Sequence, residues 1–290
     1  MSMHRSVLLN EISEGLNLKD DSLVLDCTFG GGGHSREILR RHKGAKIVAL
    51  DQDGSVSENL KDKRIAFYNL NFRNLDKAWR LPEKFNGIIF DLGLSSDQLE
   101  NSGRGFSFMK DEPLQMTMKE NPSSEDLTAE EIVNEWSEEN LAKIIYGYGE
   151  EKFAKKIARG ISEARKAKRI RNTGELVEII RESLPLSCRK KKIHFATRTF
   201  QALRIAVNDE LGALKEGLEK GFEALGKGGR MAVISFHSLE DRIVKKFYKE
   251  KAKEKKAILI NKKPITAQKE EIKENPRSRS AKLRILEKTI

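Results

Sequence analysis

A short strand, four consecutive glycines, a helix and a second strand closed by an aspartate constrain this chain more than any other feature. Residues 22–27 (SLVLDC) form an apolar run of strand character that leads directly into 26-DCTFGGGGHS-35 and then into a helical pattern over 35–42. Consecutive glycines let the backbone turn tightly and approach a ligand closely, with the free N–H groups of the helix start aimed at it. Nineteen residues beyond Gly32, Asp51 ends the next apolar run, Lys46 to Asp51, where a carboxylate can accept both hydroxyls of a ribose. The pair points to a nucleoside cofactor, the alternative being glycines that serve packing alone. Gly30 and Gly32 meet the dinucleotide fingerprint only in part, because Ser35 stands at its last small position, and no lysine follows to make a phosphate-binding P-loop. The neutral-to-acidic loop, with Asp26 beside it, suits a cofactor carrying an amino group and a sulfonium better than a pyrophosphate. S-adenosylmethionine is therefore favoured.

The same alternation continues. Arg64 to Asn69 and Asn86 to Asp91 read as further buried strands, with crossover helices over Val56 to Leu60 and Asn74 to Leu81, so the first third predicts a parallel, doubly wound α/β sheet. Strand character then stops for more than a hundred residues. From Thr128 to Leu184 the pattern is helical, opened by a Thr128/Glu131 capping box, and a long helical stretch from Thr197 to Leu225 ends at the stop 226-GKGG-229. A strand resumes at Arg230 to Phe236, followed by a helix from Leu239 to about Glu254, strands at Ala257 to Ile260 and Lys282 to Glu287, and between these a polar segment with Pro264 and Pro276 that predicts a mobile loop. The expected organisation is a discontinuous sheet domain, 1–102 and 193–290, interrupted by a helical domain at 103–192.

Charge follows this division. The chain of 290 residues carries a formal charge of +11, which calls for an anionic partner such as nucleic acid or a membrane surface. The excess is uneven: Asp97 to Asn140 is net −9, Arg165 to Lys192 net +7, and Glu240 to Ile290 net +9. Basic runs such as 189-RKKK-192 and 251-KAKEKK-256 serve equally well as solvated helix faces until a site gives them a purpose. No apolar run approaches a membrane span, and Met1 to Leu16 lacks the pattern of a secretory signal. Two cysteines, Cys27 and Cys188, predict a reduced, cytoplasmic setting, and the five histidines show no ligand spacing with them, so no metal is expected.

At the carboxyl end of the fourth strand stands 91-DLGLSSDQL-99. Ligands of open α/β sheets bind in the crevice outside the strand carboxyl ends, so Asp91 is expected to face cofactor and acceptor, with a helix cap at Ser96 as its alternative role. Gly93, Ser95 and Ser96 keep the loop small enough for a flat base to enter.

The blocks 27-CTFGGGGHS-35, 91-DLGLSS-96, 103-GRGFSFM-109, 147-GYGEE-151, 196-ATRTFQALRIAVNDEL-211, 234-ISFHSLEDRIVKKF-247 and 275-NPRSRSAKLR-284 together resemble the bacterial small-subunit ribosomal RNA cytosine N4-methyltransferase family, the MraW or RsmH family. The resemblance covers almost the whole chain in order. It implies a class I S-adenosylmethionine-dependent methyltransferase domain with a helical insertion, acting on a cytosine in the decoding centre of 16S rRNA within the small ribosomal subunit. It further implies cofactor contacts at Gly32, Gly33, His34, Asp51, Phe72, Asp91 and Gln98. Phe72 would pack on the adenine and Gln98 orient a polar end of the cofactor. The chain departs from the family in one place: 113-PLQMTM-118 puts Gln115 and Thr117 where an acid and a base are usual.

The exocyclic amine of cytosine is a poor nucleophile, so it needs to be held in line with the methyl group while an acceptor draws on an N–H. Asp91 is the first candidate for that acceptor and Ser95 the second. The base must leave its stack, which calls for aromatic walls and cationic phosphate contacts. Phe106, Phe108, Phe236 and His237 are candidate walls, with ordinary packing the better reading for Phe236. Arg104, Arg198, Arg204, Arg277 and Arg279 are candidate phosphate contacts, extended by the basic stretch Arg165 to Arg171. Two other readings stay open: a ribosome-assembly factor that keeps the cofactor fold with weak or no activity, raised by Gln115 and Thr117, and an NAD-dependent oxidoreductase, raised by the glycine loop. A homodimer is compatible with the sequence but not required by it.

Overall fold

The computed structural model describes residues 6–57, 60–78, 84–120, 122–123, 125–189 and 193–290, with only the backbone of 96 and 97. Its chain divides into two compact units, one comprising the residues up to Gly93 together with Leu211–Ile290, the other Leu94–Glu210.

The first unit begins with helix α1 (Leu9–Gly15), strand β1 (Leu23–Asp26), helix α2 (Gly33–Arg41), and strands β2 (Lys46–Asp51), β3 (Ile65–Asn69) and β4 (Phe85–Asp91). Strands β1, β2 and β4 are apolar runs that are largely buried, as central parallel strands require, whereas the edge strand β3 buries only Ile65. In α2 the residues turned inward are His34, Ser35, Ile38 and Leu39, while Arg40 and Arg41 complement the helix dipole in its last turn and pair with Glu37. Full burial of Ile38 and Leu39 contributes about 1.5–3 kcal/mol each, and Ile38→Ala would cost about 2–5 kcal/mol. The crossovers after β2 and β3 are tighter than the sequence predicts: 3₁₀ turns at Gly54–Ser57 and Phe72–Lys77 replace the expected α-helices, whose residues 58–59 and 79–81 lie outside the described residues.

The second unit holds α3 (Ser96–Glu100), α4 (Ala129–Glu135), α5 (Glu138–Gly147), α6 (Ala154–Ala167), α7 (Thr173–Ser183), α8 (Leu186–Arg189) and α9 (Thr197–Asn208). The Thr128/Glu131 capping box is formed, and its core is built from Ile132, Leu141, Ile145, Ile157, Ile161, Leu176, Ile180 and Leu203. The unit extends beyond the expected 103–192 at both ends. Its far end is set by Asp209, whose left-handed backbone (φ 45°) breaks the expected helix Thr197–Leu225 into α9 and α10 (Glu210–Ala224).

The chain then returns to the first unit through α10, β5 (Leu225–Ser235), α11 (Ser238–Lys253), β6 (Ala257–Leu259), α12 (Lys269–Glu274) and β7 (Lys282–Lys288). The expected stop 226-GKGG-229 belongs to β5, where the pairing with β4 shifts between Phe85 and Gly87 and Gly228 takes φ +77°. The sheet order is β3-β2-β1-β4-β5-β7-β6, parallel through β5; β7 runs antiparallel to both of its neighbours, so β6 again points the same way as β1–β5. This is the expected doubly wound α/β sheet, with β7 alone reversed. The segment with Pro264 and Pro276 is not a bare loop: Ile265 bridges Leu283, the Asn261 side chain bonds the backbone of Leu283 and Ile285, and Glu271 accepts the Leu8 N–H at 2.8 Å.

Candidate active site

Strand order reverses between β1 and β4, and three of the strand carboxyl ends in this part of the sheet carry an aspartate: Asp26, Asp51 and Asp91. In an open parallel sheet that is where a ligand binds. The glycine loop leaves β1 directly above. Gly32 takes φ +69°, and a Cβ there would lie 2.6 Å from the Phe29 ring; a Cβ on Gly33 would meet the Ser6 hydroxyl at 2.0 Å. Glycine is demanded at both positions by space and, at Gly32, also by backbone conformation.

The three carboxylates have different surroundings. Asp26 is buried, accepting the Ser35 hydroxyl at 2.6 Å and the Thr28 N–H at 3.2 Å, and burial raises its pKa against those bonds. Asp51 accepts the Gly30 N–H at 2.8 Å and the Asp53 N–H at 2.9 Å, which ties the end of β2 to the glycine loop. Burial pushes its carboxyl up to about 6, against those two N–H groups and reinforced by the charges of Asp53 and Asp26. Asp91 is partly exposed; its own N–H donates to the Thr28 hydroxyl at 2.6 Å, and its Oδ1 has no hydrogen-bond partner.

His34, at the start of α2, lies behind Asp91. Its Nε2 is 3.4 Å from Asp91 Oδ2, a charge-pair distance, yet neither ring nitrogen has a well-aligned hydrogen bond. Burial lowers the imidazole pKa, but the hydrogen-bonding and charge of Asp91 and the charge of Asp26 outweigh it and leave it raised. Phe72 is half-buried, edge-on to Phe90 at 5.5 Å and backed by Gly217 of α10, where a Cβ would stand 2.7 Å from its ring. Its 3₁₀ turn is held beside the end of β2 by the Asn71–Gln52 side-chain bond. Gly32, Gly33, His34, Asp51, Phe72 and Asp91 are therefore all carried by the first unit. Ser95 and Gln98 belong to the second, where they cap α3 reciprocally: Gln98 Oε1 accepts the Ser95 N–H at 3.0 Å and Ser95 Oγ accepts the Gln98 N–H at 3.1 Å.

A purine nucleoside joined to a cationic chain fits these groups. Gly32 and Gly33 leave no room for side chains, Asp51 closes β2 against the loop, and Asp91 presents an unpartnered buried oxygen. Residue-level inspection of the sequence missed Thr28 and Ser35, whose hydroxyls hold Asp91 and Asp26; small polar residues in a glycine loop carry no distinguishing signal.

The proposed substrate contacts divide in two. Arg104 is buried and donates to the carbonyls of Thr117, Met118 and Lys119; Arg204 pairs with Glu210 through two bonds of 2.8 and 2.9 Å; Phe106 is core, under the Arg104 guanidinium. His237 caps α11, accepting the Glu240 N–H, and Glu240 returns the bond to the Phe236 and His237 N–H groups. These four residues shape the fold, because a guanidinium or ring committed to buried partners is not offered to a phosphate. Arg198, Arg277 and Arg279 are exposed, and Arg198 also pairs with Glu151 at 3.5 Å. Phe108 stacks on His194 (4.5 Å, 5°), which stacks in turn on Phe195. His194 and Phe195, with Glu151, Phe153, Cys188 and Arg198, line a cavity of about 360 Å³ in the second unit. Gly149 allows this packing, since a Cβ there would meet the Arg198 carbonyl at 2.6 Å. Residues 190–192 of the basic run lie outside the described residues. Gln115 and Thr117 sit in a turn fixed by main-chain bonds, Ala129 N–H to Gln115 carbonyl and Met116 N–H to Arg104 carbonyl, and the Thr117 side chain is buried.

Among the described residues no helix is long and apolar enough to cross a membrane. The chain is 47% identical to two proteins named ribosomal RNA small subunit methyltransferase H, from Clostridium botulinum strains Kyoto / Type A2 and 657 / Type Ba4, over 98% of this chain and 98% of each relative. A solved rRNA methylase from Streptococcus thermophilus covers 99% of both chains at 13% identity with a TM-score of 0.45. The sequence profile of the MraW methylase family matches residues 1–289. With that match over nearly its whole length, and a cofactor cradle of the expected kind at its strand ends, the chain belongs to the MraW methylase family of S-adenosylmethionine-dependent methyltransferases.

Proposed function

We propose that this protein methylates the N4 amine of a cytosine in the decoding centre of 16S rRNA, acting in the cytoplasm on the small ribosomal subunit. The observation that supports the reading is the set of strand-end carboxylates, Asp51 and Asp91, around a glycine cradle in a chain nearly half identical to small-subunit rRNA methyltransferases.

When bound, S-adenosylmethionine supplies an electrophilic methyl group on a sulfonium. Gly32 and Gly33 let the backbone close on it, Asp51 accepts the ribose hydroxyls, and Phe72 offers a flat face to the adenine. Gln98 would orient the polar end. Asp91 holds the acceptor amine and takes its proton as the nitrogen bonds to the methyl carbon, with Ser95 as the second candidate for that role. Because charge disappears from the reacting centre, a dry and well-aligned site contributes more than a strong base. On the RNA side, Arg198, Arg277 and Arg279 take phosphates, and Phe108 with its His194 partner supports an unstacked base.

The test is transfer of labelled methyl from S-adenosylmethionine to small subunits lacking the modification, followed by digestion to nucleosides. Label in N4-methylcytidine is expected. Label in another nucleoside would move the acceptor, and subunit binding without label would favour an assembly factor.

A further inference from the structure

His34 is buried to 5% exposure yet has no well-aligned hydrogen bond on either ring nitrogen, although carboxylates flank it: Asp91 at the end of β4, 3.4 Å from Nε2, and Asp26 at the end of β1, which in turn acts on Asp51 of β2. A buried imidazole of that kind is retained for a reason other than packing. The fold needs a small, polar, ring-sized group there only if something must balance Asp91 while the site is free.

We infer that His34 is a positioning residue that, as an imidazolium, is the counter-ion of Asp91 in the free protein and gives its proton to solvent when the cationic end of the cofactor arrives at that carboxylate. The inference rests on the cofactor reading above. Two cations cannot share one partly buried carboxylate without repulsion, and the imidazolium is the one that can discharge. The exchange conserves charge: one cation enters, one proton leaves the His34 N–H for buffer, and no bond to carbon changes. It also leaves a neutral imidazole behind Asp91. Once the cation's charge has been lost in the methyl transfer, the pair can bind a proton again, and the one removed from the acceptor amine is at hand. His34 thereby links cofactor uptake to readiness of the proton acceptor.

Calorimetric titration with S-adenosylmethionine at pH 7.5, in buffers of different ionisation enthalpy, reads the protons released on binding. That pH lies above the titration of Asp51 near 6, which would release protons of its own at lower pH. The expected result is proton release by the wild-type protein and none with adenosine, which has no cation. His34→Gln and, should that variant fail to fold, Asp91→Asn are each expected to abolish the release with S-adenosylmethionine. The release should also fade at alkaline pH, where the imidazole of the free protein is already neutral. Binding without release in the wild type, or undiminished release in a folded variant, would overturn the role of His34. Failure of S-adenosylmethionine to bind at all would instead overturn the cofactor reading.

Discussion

The two units differ in how they hold their larger polar and charged groups. In the helical unit, where the hydroxyls of Ser162 and Thr199 are left open, these groups are engaged by the fold: Arg165 donates to the Val133 carbonyl, Asn134 donates to the Glu130 carbonyl and exchanges bonds with Ile170, and Arg204 closes a two-bond pair on Glu210. At the strand ends of the sheet unit, His34 and Asp91 retain buried atoms with no partner, beside an Asp51 whose carboxyl is lifted to about 6. Buried polar groups are ordinarily satisfied, so charged ones left open mark the place where a ligand completes the network. The lesson is that cations in a basic protein are not equivalent. A guanidinium buried against carbonyls, like that of Arg104, is scaffold, and an exposed one is accessible to a partner.

Asp91→Ala offers the strongest attempt to break this comparison. Loss of the proton acceptor should reduce the methyl-transfer rate by roughly 10²–10⁴-fold, measured in single turnover with saturating cofactor. An unchanged rate would remove Asp91 from the reaction. Next, Arg204→Ala should leave Glu210 uncompensated and cost about 3–5 kcal/mol in denaturant unfolding, with RNA affinity per folded molecule unchanged. If the variant is as stable as the parent but binds RNA poorly, Arg204 is a phosphate contact after all.

Asp51→Ala should weaken S-adenosylmethionine binding by about 10–100-fold, as expected for hydrogen bonds to a charged group, and leave rRNA binding nearly intact. The raised carboxyl adds a sign. An acid whose folded-state pKa lies above its ordinary value stabilises the free protein at low pH, and that stabilisation is lost as pH rises through about 6; ribose recognition, which uses the ionised form, gains over the same interval. Cofactor affinity is therefore expected to climb between pH 5 and 7, and Asp51→Asn to flatten that part of the profile. The smallest effect belongs to Arg198→Ala. It should lower the slope of log affinity against log salt by roughly 0.7–0.9, one phosphate contact, without altering cofactor affinity.

Strands and the cofactor cradle were readable from sequence because each is local: β2 spans Lys46–Asp51 as the apolar run suggests, and Gly32 is needed for a turn its neighbours define. Other features depend on distant packing. The apolar periodicity runs on through Asp209, so nothing local announces that α9 ends there. Arg104 looks like any surface arginine until the carbonyls of 117–119 are seen around it, and the cavity beside Arg198 joins residues from 151 to 198. The segment after β6 reads as a loop because its ties to the sheet, through Asn261 and Ile265, are made by single residues. The roles of Phe72 and Gln98 came from family resemblance; their own residue types gave no hint.

Methyl transfer to a small-subunit cytosine is read without intermediary by mass spectrometry of 16S rRNA nucleosides from cells with and without this protein. N4-methylated cytidine is expected in the first and not in the second. Equal amounts in both would contradict it.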